Sequence, residues 1–395
     1  MAFHVDVKLA GRVRRKLLRW YDRNQRDLPW RRVRDPYAVW LSEMMLQQTQ
    51  VATVVPYYKR FLDRFPTVQE LAVADLDEVL QLWAGLGYYA RARHMHRAAR
   101  KVVSEFGGRF PKTVAELRKL PGIGPYSAAA VASIAFGIRT AAVDGNVGRV
   151  VARLFNISAD IRERAGRSAV EQAADRLLPR LRCGDFNQAM MELGAAICLP
   201  GDAARCVTCP IRTDCEACAA GTAAKLPVKA RKPEAKLETH VVAAIERDGC
   251  WLFIQRPPRG LWGGLWEMPT MVTNGKSTAA SASRLARGIM GSTCQAESQP
   301  FCDVQHQLTH RTIRFIGHVC RSTAWPREGM PGATAVSAVR SRGTTSADQP
   351  LLTEQWRPAA QWRAPDDLDV LAMSKAMHKV IEALRDSSAG GGLRG

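Results

Sequence analysis

LPGIGPYS, residues 120–127 of this 395-residue chain, reads as a tight turn between two helices. Pro121 and Gly122 stop the first helix, and an alanine-rich second helix begins at Pro125. Because Gly122 and Gly124 carry no side chains, the amide groups at the start of the second helix lie open, as phosphate binding requires. The alternative is an ordinary interhelical turn without a ligand.

A lone carboxylate, Asp144, follows about one helix later within VDGNV, residues 143–147. A phosphate-binding turn beside an acid indicates chemistry on a polynucleotide. The charge of the chain points the same way, since 57 Lys and Arg residues against 37 Asp and Glu residues leave a net charge of +20. Charge alone is a weak signal, because basic residues also serve solubility.

Six of the ten cysteines crowd between Cys183 and Cys218, which indicates a metal site instead of a disulfide framework. Four of them follow the pattern CX7CX2CX5C: Cys198, Cys206, Cys209 and Cys215. Thiolate-only sites accept either zinc or an iron–sulfur cluster, and a single short loop that carries all four ligands favours the cluster. Cys218 could take the place of Cys215 as the fourth ligand.

The pattern of apolar residues divides the chain into a helical part and an α+β part. From Val7 to about Ala220, apolar residues recur at helix spacing between Pro or Gly stops. Farther on, the Asp-Gly pair at 248–249 predicts a β-hairpin, and an apolar stripe over residues 373–384 predicts a core helix. The predicted boundaries are 1–220 for an all-α domain, 221–237 for a linker, 238–386 for an α+β domain and 387–395 for a disordered tail.

The hairpin, the aspartate and the cysteine loop together resemble the DNA glycosylases of the helix-hairpin-helix, endonuclease III-like superfamily, and most narrowly the MutY family of adenine DNA glycosylases. The resemblance runs from about Leu28 to Cys215 and resumes at Arg256. The matching stretches are LSEMMLQQTQV (41–51), AGLGYYARAR (84–93), LPGIG (120–124), VDGNV (143–147), MELG (191–194) and RPPRGLWGGLWE (256–267). The resemblance implies a multidomain chain, with an all-α glycosylase domain that carries an iron–sulfur loop at 198–215 and an α+β Nudix-like C-terminal domain.

The resemblance also implies that Glu43 and Asp144 are the catalytic carboxylates, and the chemistry independently requires two acids. Adenine is a poor anionic leaving group, so the base must be protonated as its bond to the sugar breaks. The sugar becomes oxocarbenium-like and needs a negative charge or a nucleophile beside it. Apolar neighbours suit Glu43 to a raised pKa and proton donation, which leaves Asp144 to stabilise the sugar. Taken singly, each acid would more often be a solvated helix residue or a helix cap.

Tyr126 stands where related glycosylases that also cut the DNA backbone carry a lysine, which forms a Schiff base with the sugar. A phenol cannot form an imine, so the resemblance implies a monofunctional enzyme with Tyr126 near the sugar or Asp144. A core tyrosine is the alternative. The nearest rival function is a bifunctional, endonuclease III-like glycosylase for oxidised pyrimidines. A non-catalytic DNA damage-binding protein is the other rival, and it would need neither acid.

Further residues are expected to contact DNA, because the enzyme must flip its target base out of the duplex. By resemblance, Gln48 and Tyr88 enter the base stack, while Gly122 and Gly124 belong to the phosphate-binding turn. The other expected contacts with the substrate or with DNA are Trp30, Arg31, Leu46, Thr49 and Glu192, all but Thr49 in the adenine pocket.

The C-terminal part resembles the MutT-like, Nudix-fold module that reads 8-oxoguanine in the MutY family. A Nudix hydrolase needs acidic residues to hold magnesium, yet residues 268–296 contain no Asp or Glu, so hydrolysis is not expected. Leu308, Thr309 and His310 match the lesion-reading loop, with Leu and Thr where other members have Phe and Ser. Two other departures are a first cysteine gap of seven residues instead of six, and Gly148 in place of a lysine common in the family.

These observations predict an enzyme that removes adenine paired with 8-oxoguanine or guanine and that contains a 4Fe-4S cluster. The expected partner is double-stranded DNA with an 8-oxoguanine:A or G:A mispair, bound by a monomer. No apolar run is long enough for a membrane span, and the segment from Met1 to Trp20 is charged throughout. We therefore expect an intracellular protein without membrane contact, in the bacterial cytoplasm and associated with the nucleoid.

Overall fold

The computed structural model describes residues 5–228, 236–257, 260–274, 277–290, 294–308, 311–321, 359–364, 367–368 and 371–390. Contacts group the chain into two units. Unit 1 comprises Met1–Ala74 and Arg93–Lys232, and unit 2 comprises Asp75–Ala92 and Pro233–Gly395. This division differs from the predicted domains, because the segment Asp75–Ala92 groups with the C-terminal part of the chain.

Residues 5–228 are helical and contain no strand, as predicted. The helices are α1 (Val7–Asn24), α2 (Pro36–Leu46), α3 (Val51–Arg64), α4 (Val68–Val73), α5 (Leu76–Trp83), α6 (Ala90–Phe106), α7 (Val114–Leu117), α8 (Pro125–Phe136), α9 (Gly145–Leu154), α10 (Arg164–Leu177), α11 (Cys183–Ala196) and α12 (Glu216–Ala219). Short 3-10 helices occupy Pro29–Arg31, Gly201–Ala203, Cys206–Thr208, Arg212–Asp214 and Ala223–Lys225. None of the described helices is both long and apolar enough to span a membrane.

Helix α2 is the most deeply buried helix of the pocket region in unit 1. Every residue from Tyr37 to Met45 is buried, so the helix is covered on all sides instead of along one stripe. It contacts α3 and α8. Asp35 begins the helix as its N-cap by accepting a hydrogen bond from the Ala38 N–H at 2.9 Å. The consequence is that Glu43 is carried into the interior on an apolar helix.

The predicted helical hairpin is present, but its first helix ends early. Helix α7 stops at Leu117, because single-turn hydrogen bonds replace the regular ladder between there and the glycine turn. Gly122 has a φ of +78°, and a Cβ atom there would lie 2.7 Å from the Cβ of His94. Gly124 has a φ of −83° and open space beside it. The turn therefore needs a glycine at position 122 for its shape. At position 124 a glycine is needed only to leave the backbone amides open to a phosphate.

Among the described residues of unit 2, eight strands form a mixed sheet with the order β3-β2-β1-β7-β5, with β4 on β1, β6 on β7 and β8 on β2. The strands are β1 (Lys236–Arg247), β2 (Cys250–Gln255), β3 (Trp266–Glu267), β4 (Thr270–Val272), β5 (Gln295–Ala296), β6 (Cys302–Gln307), β7 (Arg311–Arg321) and β8 (Ala360–Arg363). Two described helices accompany them, α13 (Thr278–Met290) and α14 (Lys375–Gly390). The predicted turn joins β1 to β2, where Asp248 and Gly249 have φ values of 51° and 75°.

The central strand β1 is buried on both faces, so its successive residues enter two different cores. Val242 shares one core with α14, and Val241 shares the other with α13. The predicted apolar stripe is buried as expected, although its first member, Met373, precedes α14. Two predicted boundaries are wrong. Strand β1 begins at Lys236 inside the expected linker, and α14 continues to Gly390 into the expected disordered tail.

Candidate active site

Helices α2, α8, α9 and α11 of unit 1 surround a cavity of about 620 Å³. This volume lies within the range of small-molecule sites in proteins. Eleven of the sequence-predicted residues line it: Trp30, Arg31, Glu43, Leu46, Gln48, Thr49, Gly122, Gly124, Tyr126, Asp144 and Glu192. The catalytic candidates and the glycine turn therefore meet at one cavity.

Glu43 is buried within the wall of this cavity. Burial raises the pKa of its carboxyl group to about 7, a hydrogen bond with Tyr126 opposes the rise, and the charge of Asp144 adds to it. The Oε2 atom of Glu43 is buried and has no hydrogen-bond partner among the described residues. A neutral carboxylic acid tolerates this position better than a carboxylate does, because the ion would leave that oxygen unsolvated. Glu43 is thus suited to carry a proton near neutral pH.

Asp144 has a more polar environment than Glu43. It is the N-cap of α9, where Oδ1 accepts a hydrogen bond from the Val147 N–H at 2.7 Å and Oδ2 accepts one from the Asn146 side chain at 3.1 Å. Burial raises the pKa of Asp144, but these hydrogen bonds and the charge of Arg149 oppose the rise. They favour the ionised form. Asp144 is therefore a helix cap, which was the non-catalytic interpretation of this residue, and it also lines the cavity.

Tyr126 lies between the two acids at the start of α8. Burial and then the negative charges of Glu43 and Asp144 raise the pKa of its hydroxyl group far above the usual value, so it remains a neutral phenol. Its oxygen lies 3.4 Å from the sulfur of Met191. Position 126 therefore offers a hydrogen-bonding hydroxyl group beside both carboxyls and no amine.

Glu192 forms a charged cluster with Arg26 and Arg31, of which Glu192 and Arg31 were predicted from the sequence. Its carboxylate accepts hydrogen bonds from Arg26 Nε at 2.6 Å and from Arg31 Nη2 at 2.5 Å. Burial raises its pKa, but the two guanidinium groups hold it below the usual value. Arg26 also lines the cavity. It could not be predicted as a site residue, because one arginine in a basic chain carries no distinctive signal. The cluster fixes a planar array of charged hydrogen-bonding groups at one wall.

Gln48 lies in a strained backbone conformation immediately after α2. Its φ of 56° falls in the left-handed region, where residues other than glycine are uncommon. The Thr49 N–H donates to the Leu46 carbonyl oxygen at 3.3 Å and closes the turn around it. Strain of this kind persists where the surrounding structure holds it, and it concentrates at binding sites. This geometry is consistent with the predicted contact between Gln48 and DNA.

A chain of hydrogen bonds runs from Asp144 toward the cysteine loop. Asn146 donates to Asp144 and accepts from Arg149 Nη2 at 2.8 Å. Arg149 Nε in turn donates to the carbonyl oxygen of Cys198 at 2.7 Å. Asn146 lies within VDGNV, but no role was predicted for it. Its position two residues after an aspartate N-cap was the available signal.

A second cavity in unit 1, of about 30 Å³, is lined by five thiol side chains: Cys198, Cys206, Cys209, Cys215 and Cys218. Across the part of the chain that the structure describes, no group of three or more Cys, His, Asp or Glu side chains is arranged to hold a single metal ion. Buried Arg153 donates from Nη1 to the Cys198 sulfur at 3.3 Å. A buried cation facing several thiols fits an anionic, thiolate-bound group.

The other predicted contacts belong to unit 2. Tyr88 has a φ of 52°, which is uncommon for a residue with a bulky side chain, and it is 49% exposed. The Gly87 carbonyl oxygen next to it accepts hydrogen bonds from Trp83 Nε1 and from Arg91 Nη2, both at 3.0 Å. Leu308 follows β6, and its N–H donates to the Arg311 carbonyl oxygen at 2.8 Å. Thr309 and His310 lie outside the described residues.

Two family models match the chain: the HhH-GPD superfamily of base excision DNA repair proteins over residues 41–180, and the NUDIX domain over residues 240–383. The chain is 34% identical to the adenine DNA glycosylase of Homo sapiens over 439 residues, which cover 98% of this chain and 76% of that relative. It is 41% identical to the adenine DNA glycosylase of Mus musculus over 437 residues, with 98% and 80% covered. The chain belongs to the adenine DNA glycosylase family.

One solved structure supports the fold of the helical part. A thermostable thymine-DNA glycosylase aligns with a TM-score of 0.50 and 29% identity, over 54% of this chain and 98% of that one. The predicted fold class, a helix-hairpin-helix glycosylase domain followed by a Nudix-like domain, is confirmed. As an adenine DNA glycosylase, the chain is a DNA N-glycosylase of base excision repair. The cavity between α2, α8, α9 and α11 is its candidate active site.

Proposed function

We propose that this adenine DNA glycosylase releases adenine paired with 8-oxoguanine or guanine, and that Glu43 and Asp144 are its catalytic acid and its electrostatic partner. The observation that carries the proposal is the contrast between the two carboxyls of one cavity. Glu43 has a pKa raised to about 7 and a buried oxygen without a partner, whereas Asp144 accepts hydrogen bonds that favour its charge. Pairs of acids with divergent environments mark general-acid and anionic roles.

In the proposed reaction, Glu43 transfers its proton to a ring nitrogen of adenine while the bond between the base and the sugar breaks. The bonding electrons leave with the base, which departs neutral, and the sugar carbon becomes positive. Asp144 stabilises this cation or captures it as an ester. A water molecule then forms the new C–O bond at the sugar carbon, displaces the Asp144 carboxylate where an ester has formed, and returns its proton to the Glu43 carboxylate. Tyr126 donates a hydrogen bond beside the two acids. Because position 126 holds no amine, we propose that the enzyme is monofunctional.

A second part of the proposal concerns the cysteine loop. We propose that Cys198, Cys206, Cys209 and Cys215 bind a 4Fe-4S cluster, with Arg153 facing it as a buried cation. Bound there, the cluster supplies a charged anchor for the loop, and the chemistry at the base stays with Glu43 and Asp144. The purified protein should then contain about four iron and about four sulfide ions per chain.

The fifth thiol gives this part a matched control. Cys215→Ser should purify with little iron, and Cys218→Ser should retain it, because the spacing assigns the fourth ligand to Cys215. Iron loss from Cys218→Ser alone would move the fourth ligand to position 218. Stoichiometric zinc without sulfide would overturn the cluster itself.

The decisive experiment for the activity uses three duplexes, containing 8-oxoguanine:A, G:A or an oxidised pyrimidine. We expect adenine release from the first two, with strand scission only after alkali and little adduct trapped by borohydride. Excision of the oxidised pyrimidine together with efficient trapping would support the bifunctional rival. Binding without release of any base would support a damage-binding protein.

We also propose that the enzyme acts as a monomer in the cytoplasm, associated with the nucleoid. The proposal follows from its substrate, which is chromosomal duplex DNA, and from the net charge of +20, which favours binding to polyanions. Light scattering of the purified protein and cell fractionation would test the two parts separately.

A further inference from the structure

The hydroxyl group of Tyr89 joins two distant stretches of unit 2. It donates a hydrogen bond to the carbonyl oxygen of Met373 at 2.7 Å, across 284 positions of sequence. The same oxygen accepts a hydrogen bond from the Gly85 N–H at 3.3 Å. Tyr89 is 4% exposed, so both bonds are shielded from water. A buried hydroxyl group that is used as donor and as acceptor holds both partners in one geometry.

On one side of this hydroxyl lies the Tyr88 loop, Gly85–Tyr88. Gly85, Gly87 and Tyr88 all have positive φ angles, and the Tyr88 side chain is half exposed. The guanidinium of Arg91 lies 5.4 Å from the centre of the Tyr88 ring. An exposed aromatic ring on a strained and tightly held backbone is suited to press against a stacked surface such as a base pair. The Gly85 N–H fixes the start of that loop.

On the other side lies the core of the Nudix-like sheet. Met373 is fully buried and pairs with Trp266 in a parallel bridge next to strand β3. It shares one apolar cluster with Phe315 of β7. Leu308, at the β6–β7 turn, packs against the same cluster. A single packed core therefore extends from the expected lesion-reading turn to the atom that accepts the Tyr89 hydrogen bond.

A second polar contact joins the segment Asp75–Ala92 to the sheet, in addition to the Tyr89 hydroxyl group. Gln255 of β2 donates from Nε2 to Oδ1 of Asp77 at 3.3 Å. Leu80 of α5 lies within 3.7 Å of the position that a Cβ atom on Gly264 would occupy. The whole segment Asp75–Ala92 is thus fastened to the sheet at more than one place.

We propose that Tyr89 is a positioning residue that ties the Tyr88 loop to the Nudix-like sheet, so that the preference for 8-oxoguanine over guanine opposite adenine depends on its hydroxyl group. This inference rests on the proposed function, because it assigns the regulation of that same reaction. A lesion bound at the β6–β7 turn and a ring pressed into the duplex then act through one packed core. Loss of the hydroxyl group leaves both parts present and the other contacts of the segment in place, but it removes the bonds that fix the start of the Tyr88 loop to Met373.

The test compares Tyr89→Phe with Tyr37→Phe in the full-length protein. Tyr37 is an equally buried tyrosine whose hydroxyl group donates to the Phe65 carbonyl oxygen at 2.7 Å in unit 1, so the control removes the same kind of bond. We expect similar small decreases in Tm for the two variants. Tyr89→Phe should lower the ratio of single-turnover rates, 8-oxoguanine:A over G:A, by about fivefold, the effect of one net hydrogen bond. Tyr37→Phe should leave the ratio unchanged.

A double variant separates positioning from general loss of structure. If Tyr89 acts through the Tyr88 loop, Tyr88→Ala with Tyr89→Phe should show the same ratio as Tyr88→Ala alone, because the second change has nothing left to position. Additive losses would overturn the inference. Asp77→Ala, at an exposed position in the first turn of α5, removes the contact with Gln255 and should lower the ratio less, by about twofold. It provides a second variant if Tyr89→Phe is unstable.

The outcomes distinguish the inference from the function on which it rests. A wild-type enzyme that releases adenine from neither duplex would contradict the proposed function. A wild-type enzyme that is active and selective, combined with variants at Tyr89 and Asp77 that keep its ratio, would overturn the inference and leave the function intact.

Discussion

The cavity of unit 1 and the Tyr88 loop of unit 2 differ in whether their polar atoms have hydrogen-bond partners. In the cavity, Glu43 has an oxygen without a partner and a pKa raised to about 7. In the loop, the carbonyl oxygen of Leu86 accepts a hydrogen bond from Arg91, and the carbonyl oxygen of Gly87 accepts two side-chain hydrogen bonds. A group that is poorly stabilised in one charge state is ready to exchange a proton, whereas a satisfied group holds a shape. We therefore expect the rate of adenine release to depend on unit 1 and the selectivity between duplexes to depend on unit 2.

Asp144→Asn should have the largest effect and should affect both duplexes alike. Asparagine preserves a side-chain oxygen for the Val147 N–H but removes the charge that the sugar cation requires. We expect the single-turnover rate of adenine release to fall by about 1,000-fold on 8-oxoguanine:A and on G:A. Affinity for the uncleaved duplex should change little, because phosphate contacts supply most of it.

The matched control for this variant is Asp35→Asn. Asp35 caps α2 in the same manner as Asp144 caps α9, but it does not line the cavity. We expect Asp35→Asn to retain nearly normal release. Loss of activity in both variants would mean that helix capping, and not charge at the sugar, explains the defect.

The pH dependence of the rate tests the acid in the same cavity. Glu43 must be protonated to donate, and its pKa is raised to about 7, so the active form is lost as the pH rises through that value. We expect the single-turnover rate to fall about tenfold per pH unit above pH 7, equally on both duplexes. Glu43→Gln should be slow at every pH. A wild-type rate that stays level up to pH 9 would remove Glu43 as the acid.

Much of this site could be predicted from the sequence, because its parts are local. Gly122 must adopt a positive φ, Asp144 must precede a helix, and Glu43 stands in an apolar run, so each leaves a signal within a few residues. The turn at Asp248 and Gly249 was predictable for the same reason. These features depend on neighbours in the sequence and not on the rest of the fold.

The grouping of Asp75–Ala92 with the C-terminal sheet could not be predicted in this way. The contact between Tyr89 and Met373 joins positions 284 residues apart, and nothing in the local pattern around either residue marks the other. Arg26 was missed for a related reason, since only the folded chain places it beside Glu192. The end of α7 at Leu117 was also misplaced, because single-turn hydrogen bonds replace the helical ladder before the chain reaches Pro121.

The two glycines of the hairpin in unit 1 should affect different properties: Gly122 the stability of the fold, and Gly124 the approach of a DNA phosphate. Gly122→Ala should lower the free energy of unfolding by about 1–2 kcal/mol, because its φ of +78° and the nearby His94 both oppose a methyl group. Gly124→Ala should fold normally, since no atom lies within 4 Å of the added Cβ. It should nevertheless weaken duplex binding about tenfold, because the methyl group stands where a phosphate would approach the amides.

Urea denaturation and fluorescence anisotropy measure the two properties separately. Both glycine variants should leave the rate ratio between 8-oxoguanine:A and G:A unchanged, as expected for unit 1. Unaltered duplex affinity in Gly124→Ala would contradict phosphate binding at the hairpin.

Leu308 in unit 2 should give the smallest effect. It tests most directly whether unit 2 determines the selectivity between duplexes. Leu308 is only partly buried against the core that contains Met373, and the hydrogen bond from its N–H to Arg311 fixes it at the rim of the β6–β7 turn. Leu308→Ala removes apolar surface that can pack against the lesion, worth about 1 kcal/mol, so the rate ratio should fall about fivefold through the rate on 8-oxoguanine:A. Val304→Ala is the control, because Val304 of β6 is also partly buried against this core but lies away from the turn. If Val304→Ala lowered the ratio as much as Leu308→Ala, the selectivity would reflect the stability of the sheet instead of contact with the lesion, and the division of rate and selectivity between the two units would fail.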